Sequence, residues 1–96
     1  MPKAYWIAHV TVTDPEAYAS YMAAAPAAFK KYGGQLLARG EQATTLEGKP
    51  WQRHAVIEFE SVEAAHSCYN SAEYSNAKLK RDGACVVSVT IIEGLV

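Results

Sequence analysis

The sequence predicts an α+β fold: four antiparallel strands backed on one face by helices, in the order β-α-β-β-α-β, with an additional short helix before the last strand. Three observations predict it. Runs rich in Tyr, Trp, Ile, Val and Thr alternate with runs whose apolar residues recur at helical spacing. Each helical run opens on a residue suited to capping, Asp14, Ser61 or Ser71. The second and third strand runs follow one another with no helix between them, joined through the turn-forming Glu47-Gly48-Lys49-Pro50. That order is the split βαβ arrangement, with the first and third strands at the centre of the sheet. Ninety-six residues suit one domain, 1–96.

Residues 4–12 form the first strand, with Tyr5, Ile7, His9 and Thr11 on one face and Trp6, Ala8, Val10 and Val12 on the other. Asp14-Pro15-Glu16 starts the first helix: a carboxylate cap, a proline with the φ of a first turn, and an acid at the positive end of the dipole. Tyr18, Tyr21, Met22, Ala25, Phe29 and Tyr32 make its apolar stripe. Pro26 lies within that stripe and removes the bond to the Met22 carbonyl, so a kink or break is expected there. Gly33-Gly34 supplies the stop. Gln35–Arg39 forms a short second strand, which Thr44–Leu46 either extends or follows as a ragged edge. Residues 52–59 form the third, with faces Arg53, Ala55, Ile57, Phe59 and His54, Val56, Glu58. Ser61 caps a helix with Val62, Ala65, His66 and Tyr69 inward, and Ser71 restarts a shorter one that runs to about Arg81. The last strand, Val86–Ile92, is almost wholly β-branched.

Composition narrows the function classes. Half the residues are hydrophobic and the formal net charge is -1, with no basic stripe of the kind that binds nucleic acid. No run reaches the roughly 18 apolar residues of a membrane span, and the first residues show no apolar leader core. Two cysteines without CxxC spacing read as free thiols of a reducing compartment, which predicts a soluble cytoplasmic protein. The strand faces are too apolar for a sheet left bare on one side. A homodimer packed face to face is the expected cover.

The stretch AYWIAHVTVTDPEAYASYMAAAPAAFKKYGGQLLARG, the later VIEFES and YNSAEYSNAKLKRDGA, and the closing IIEG resemble the DUF1330 family, a domain of unknown function, over nearly the whole chain. The DPEAY helix start, the KYGG stop, the IEF strand end and the NSAEY turn carry the resemblance. It implies the dimeric α+β barrel superfamily, in which two ferredoxin-like sheets pack against each other. That superfamily includes cofactor-free quinone-forming monooxygenases, muconolactone isomerases, haem-degrading enzymes and ligand-sensing domains. The resemblance fixes architecture more tightly than activity.

It also implies a cleft between sheet and helices that takes small, often aromatic molecules. Two residues are candidate catalytic groups: His9, a histidine in a strand, as general base or hydrogen-bond donor, and Glu58, a carboxylate among apolar neighbours on the other central strand. The bland alternative for His9 is a core histidine satisfied by a neighbouring carbonyl or hydroxyl; Glu58, which needs a partner such as His9, His54 or an arginine, could equally face a solvent-filled channel at the dimer seam. Arg39 and Arg81 could clamp a carboxylate or phenolate, against the alternative of surface ion pairs. An arginine commonly follows the NSAEY segment in family-like sequences, and that position is Arg81 here. Trp6, Tyr18, Tyr21, Tyr69 and Tyr74 could line a site for a planar ligand, or simply fill the core; Tyr21 and Tyr69 are preferred as ligand contacts.

No metal site is expected. Glu63 and His66 have helical spacing but lack the further ligands of a di-iron site, and His66 alone is available as a haem ligand. No glycine-rich phosphate loop follows a strand. These readings favour a cofactor-free isomerase or monooxygenase acting on an aromatic or enolisable metabolite. The alternatives are a homodimer that binds such a molecule without turnover, and a dimer whose cleft is filled by its own side chains.

Overall fold

The computed structural model describes residues 2–96. Its elements are β1 (Ala4–Val12), α1 (Pro15–Lys31), β2 (Gln35–Gly40), β3 (Arg53–Phe59), α2 (Val62–Tyr69), α3 (Ala72–Lys80) and β4 (Cys85–Glu93). The four strands form one antiparallel sheet in the order β2-β3-β1-β4, so β1 and β3 are central, as the sequence predicts. This is the ferredoxin-like fold.

Local chemistry sets the helix boundaries. Asp14 Oδ1 accepts from the Ala17 amide at 3.2 Å, and Ser61 Oγ from the Ala64 amide at 3.0 Å. Ser71 does more than cap α3: its hydroxyl accepts from the Tyr74 amide at 3.1 Å and donates to the Cys68 carbonyl at 2.7 Å. It thereby ties the end of α2 to the start of α3. Gly33 turns the chain out of α1 with φ 79, a left-handed conformation that suits glycine.

Of the kink or break expected at Pro26, the break does not occur: α1 runs unbroken through that residue. Tyr18, Ala25 and Ala28 are buried on both sides of the proline, and that packing holds the helix together across the missing hydrogen bond. His66 was expected inward, yet it is exposed; α2 buries Ala65 and Cys68 instead. Thr44–Leu46 does not extend β2 but lies in an exposed irregular segment.

The core lies between the helices and one face of the sheet. Trp6, fully buried on β1, is its centre. Its ring meets Phe29 of α1 at 5.1 Å and Tyr74 of α3 at 5.0 Å, both edge-to-face, with Phe59 and Tyr69 at 6.1 and 5.6 Å. Because Trp6 faces the helices, Ala4, Ala8 and Val10 do too, and the strand register places Ala55, Ile57 and Phe59 beside them. Tyr5, Ile7, His9 and Thr11 therefore project from the opposite face, with Glu58, Val56 and His54 as their cross-strand partners on β3. No described helix packs on that face.

Candidate functional site

A cleft of about 380 Å³ opens between α1 and the helix-facing side of the sheet. Its walls are mostly apolar or aromatic, among them Trp6, Tyr18, Tyr21, Met22, Phe29 and Val89. Arg39, Arg53, Arg81 and Lys30 also line it, and among the described residues no aspartate or glutamate does. A surplus of positive charge in an apolar cavity is the signature of an anion site.

The three arginines arrive by different routes. Arg81 ends α3 as its C-terminal cap and is only 9% exposed. Its Nη2 donates to Tyr74 Oη at 3.4 Å and its Nη1 approaches Cys85 Sγ at 3.9 Å, while Nε is buried without a partner. No carboxylate pairs with it among the described residues. Arg39 reaches the cleft through an irregularity in β2. The register passes from Leu36↔Ile57 to Ala38↔Val56 and Arg39↔Ala55, so one extra residue lies between Leu36 and Ala38. Leu36 and Arg39 consequently both share a face with the helix-side residues Ile57 and Ala55. Arg53 begins β3, on the same face as Ala55, Ile57 and Phe59.

Tyrosine hydroxyls extend the polar end. Tyr21 Oη and Tyr74 Oη are 2.7 Å apart, and the Arg81 guanidinium lies 4.8 Å from the Tyr21 ring centroid. An oxygen that accepts from a guanidinium becomes a better donor. The order Arg81 to Tyr74 to Tyr21 then leaves the Tyr21 proton for an acceptor in the cleft. Burial first, and then the nearby Tyr74, pushes the Tyr21 phenol well above its ordinary value, and burial also raises Tyr18. Both stay protonated donors at neutral pH. Burial works against the Arg81 charge, but the Tyr74 and Tyr21 oxygens outweigh it and its pKa is raised. The site is thus a fixed cation flanked by phenol donors.

Of the residues singled out by sequence, Tyr21, Arg39 and Arg81 line this cleft. Tyr69 does not; it packs on Trp6 and Tyr74, and its hydroxyl accepts from Lys78 at 3.2 Å. His9 and Glu58 do not line it either. Period-2 alternation from Trp6 sends His9 through the sheet to the side away from α1. There His9 Nδ1 lies 2.9 Å from His54 Nδ1, and Trp51 stacks 6.1 Å from the His9 ring. Glu58 accepts from Lys3 and from the Tyr5 hydroxyl, each at 3.2 Å. His54 borders the cleft as well, but its ring turns to His9. Arg53 was not singled out as a site contact. The signal for Arg53 was an arginine on a strand face otherwise made of Ala55, Ile57 and Phe59.

Cys68 is buried, and burial raises its thiol to about 11. It is a packing residue rather than a nucleophile. No group of three or more metal-ligating side chains occurs among the described residues.

Residues 3–95 match the domain of unknown function DUF1330. The chain belongs to the DUF1330 family. No protein of curated function matches the sequence. Among solved structures, one similar fold is a protein of unknown function from Rhodopseudomonas palustris, with TM-score 0.77 and 22% identity over 99% of this chain and 84% of that one. SnoaB, a cofactor-independent oxygenase from Streptomyces nogalater, aligns with TM-score 0.67 and 11% identity over 100% of this chain and 96% of its own. A dimeric ferredoxin-like protein of unknown function from Thermobifida fusca aligns with TM-score 0.60 and 10% identity, covering 96% and 91% of the two chains. At these identities the likeness shows the fold. No helix of this DUF1330 protein, among the described residues, is long and apolar enough to cross a membrane.

Proposed function

We propose that this DUF1330 protein binds a small planar anion, a carboxylate, phenolate or enolate, in the cleft between α1 and the sheet, and that it does so as a homodimer. One observation carries the ligand class: Arg81 is buried in the wall of that cleft without a carboxylate partner. A buried cation without a countercharge is costly, and an anionic ligand would offset that cost. The cavity's size supports the planar class. A cavity of roughly 150 Å³ holds one benzene, so about 380 Å³ suits a flat molecule of two or three rings.

The same groups suit a cofactor-free isomerase or oxygenase, because both chemistries pass through an enolate or phenolate that a cation and phenol donors would stabilise. Arg81 favours this second reading by pairing with a tyrosine hydroxyl instead of a carboxylate, which leaves its charge for an oxygen of the ligand. The fold likeness to a cofactor-independent oxygenase is in keeping with it. Among the described residues no carboxylate lines the cleft to serve as a base, so binding is the function that the geometry supports more fully. His9 and Glu58 would act as a base only on a molecule held at the other face of the sheet, and in this proposal they belong to the contact between copies.

The dimer rests on that face. Ile7 and Val56 lie at its centre, and Ile92 and Val86, about half exposed, lie toward its β4 edge. Dimeric relatives of the same fold are in keeping with it.

Titrating naphthalene-2-carboxylate into the protein by calorimetry tests the ligand class. Arg81→Met should weaken binding roughly 10- to 100-fold, the equivalent of about 1.5–3 kcal/mol for a hydrogen bond to a charged group. Equal affinity in a folded Arg81→Met variant would exclude this anchor.

A further inference from the structure

We infer that the cleft reads two negative charges, with Arg53 as the second anchor and a planar dianion as the ligand class; this rests on the reading that the cleft takes a planar anion. The Arg53 guanidinium lies 5.7 Å from the Tyr18 ring centroid, and Arg81 lies 4.8 Å from that of Tyr21. Those two rings are 5.3 Å apart on successive turns of α1. Two cations therefore stand beside neighbouring aromatic faces of one cavity. Each has a buried Nε with no hydrogen-bond partner.

Among the described residues, the only carboxylate within ion-pair reach of either guanidinium is Glu41, whose Oε2 lies 3.9 Å from Arg53 Nη2. That is an outer-limit distance, and the Glu41 side chain is 55% exposed, so the contact offsets little of the Arg53 charge. A single ligand carboxylate fills the fork of one guanidinium. The other would keep its charge unanswered by the ligand: Arg53, although its side chain is 36% exposed, would still have its buried Nε without a partner. Arg39 and Lys30, which also line the cleft, deepen the excess of positive charge. A second anionic group on the ligand answers it. That group is either a second carboxylate across a flat ring system or the second charge of a phosphate ester.

The experiment compares three probes on one flat frame: naphthalene-2-carboxylate, naphthalene-2,6-dicarboxylate and 2-naphthyl phosphate, titrated by calorimetry into wild type, Arg53→Gln and Arg53→Lys. In wild type, one dianion should bind roughly tenfold or more tightly than the monoanion. Which one does so distinguishes two separated charges from one doubly charged group. In Arg53→Gln the dianion-to-monoanion ratio should fall toward one, and Arg53→Lys should restore part of it. Equal binding of monoanion and dianions by wild type, or a ratio that survives Arg53→Gln, overturns the second anchor and leaves the anion site at Arg81 standing. Failure of all three probes to bind removes both. Thermal melts of the two variants confirm that the ratios come from folded protein.

Discussion

Arg81 and Gly34 show how single residues fix the cleft from opposite directions. Arg81 brings charge into an apolar wall, whereas Gly34 matters for what it lacks. A Cβ added at Gly34 would lie 2.9 Å from Phe59 Cζ and 3.0 Å from the Phe29 carbonyl oxygen. One of these atoms is backbone of α1, and the other belongs to a ring stacked on Trp6. Neither moves without disturbing the core, so Gly34→Ala should destabilise the fold by about 1–3 kcal/mol, read from chemical denaturation. An unchanged midpoint would mean that β2 can lift away from Phe59 at no cost. Arg53 is the contrasting case: its single-residue signal was present, yet alternation alone does not tell which face the helices cover.

At the scale of elements, α3 is the part most exposed to a local change. It carries Tyr74 and ends on Arg81, and its start is held by the two hydrogen bonds of the buried Ser71 hydroxyl. Ser71→Ala leaves the Cys68 carbonyl and the Tyr74 amide without that partner, and should cost about 1–2 kcal/mol. Hydrogen exchange should rise first in α3, and anion affinity should fall with it. A loss of stability with exchange in α3 unchanged would place the damage elsewhere. The elements themselves were largely legible in the sequence, because Asp14-Pro15-Glu16, Ser61, Ser71 and Gly33-Gly34 are local signals whose physics needs no partner. The unbroken helix at Pro26 was not legible, since it depends on packing against the rest of the chain. Nor was the entry of Arg39 into the cleft. One extra residue in β2 decides it, and a bulge leaves no firm trace in QLLARG. The side that His9 takes was not legible for a similar reason: both faces of β1 carry apolar residues, so the pattern gave two faces without saying which one the helices take.

The whole molecule has one sheet face filled by helices and one without them, and these faces divide the roles. The helix side holds the arginine-lined cleft. The other side carries Ile7 and Val56 between the Lys3–Glu58 ion pair and the His9–His54 pair. Sedimentation at micromolar concentration should give twice the mass of one chain, and Ile7→Glu should shift it to a single chain, because a carboxylate without a partner in that contact costs several kcal/mol, roughly 3–5. A wild type that sediments as one chain would remove the dimer. The His9–His54 contact on this face has a further consequence. Two neutral imidazoles whose Nδ1 atoms lie 2.9 Å apart need one to carry its proton there and the other to carry it on Nε2. The two rings then occupy opposite tautomers, and the pair has a direction, from donor strand to acceptor strand, that the backbone pairing of His9 with His54 does not itself impose.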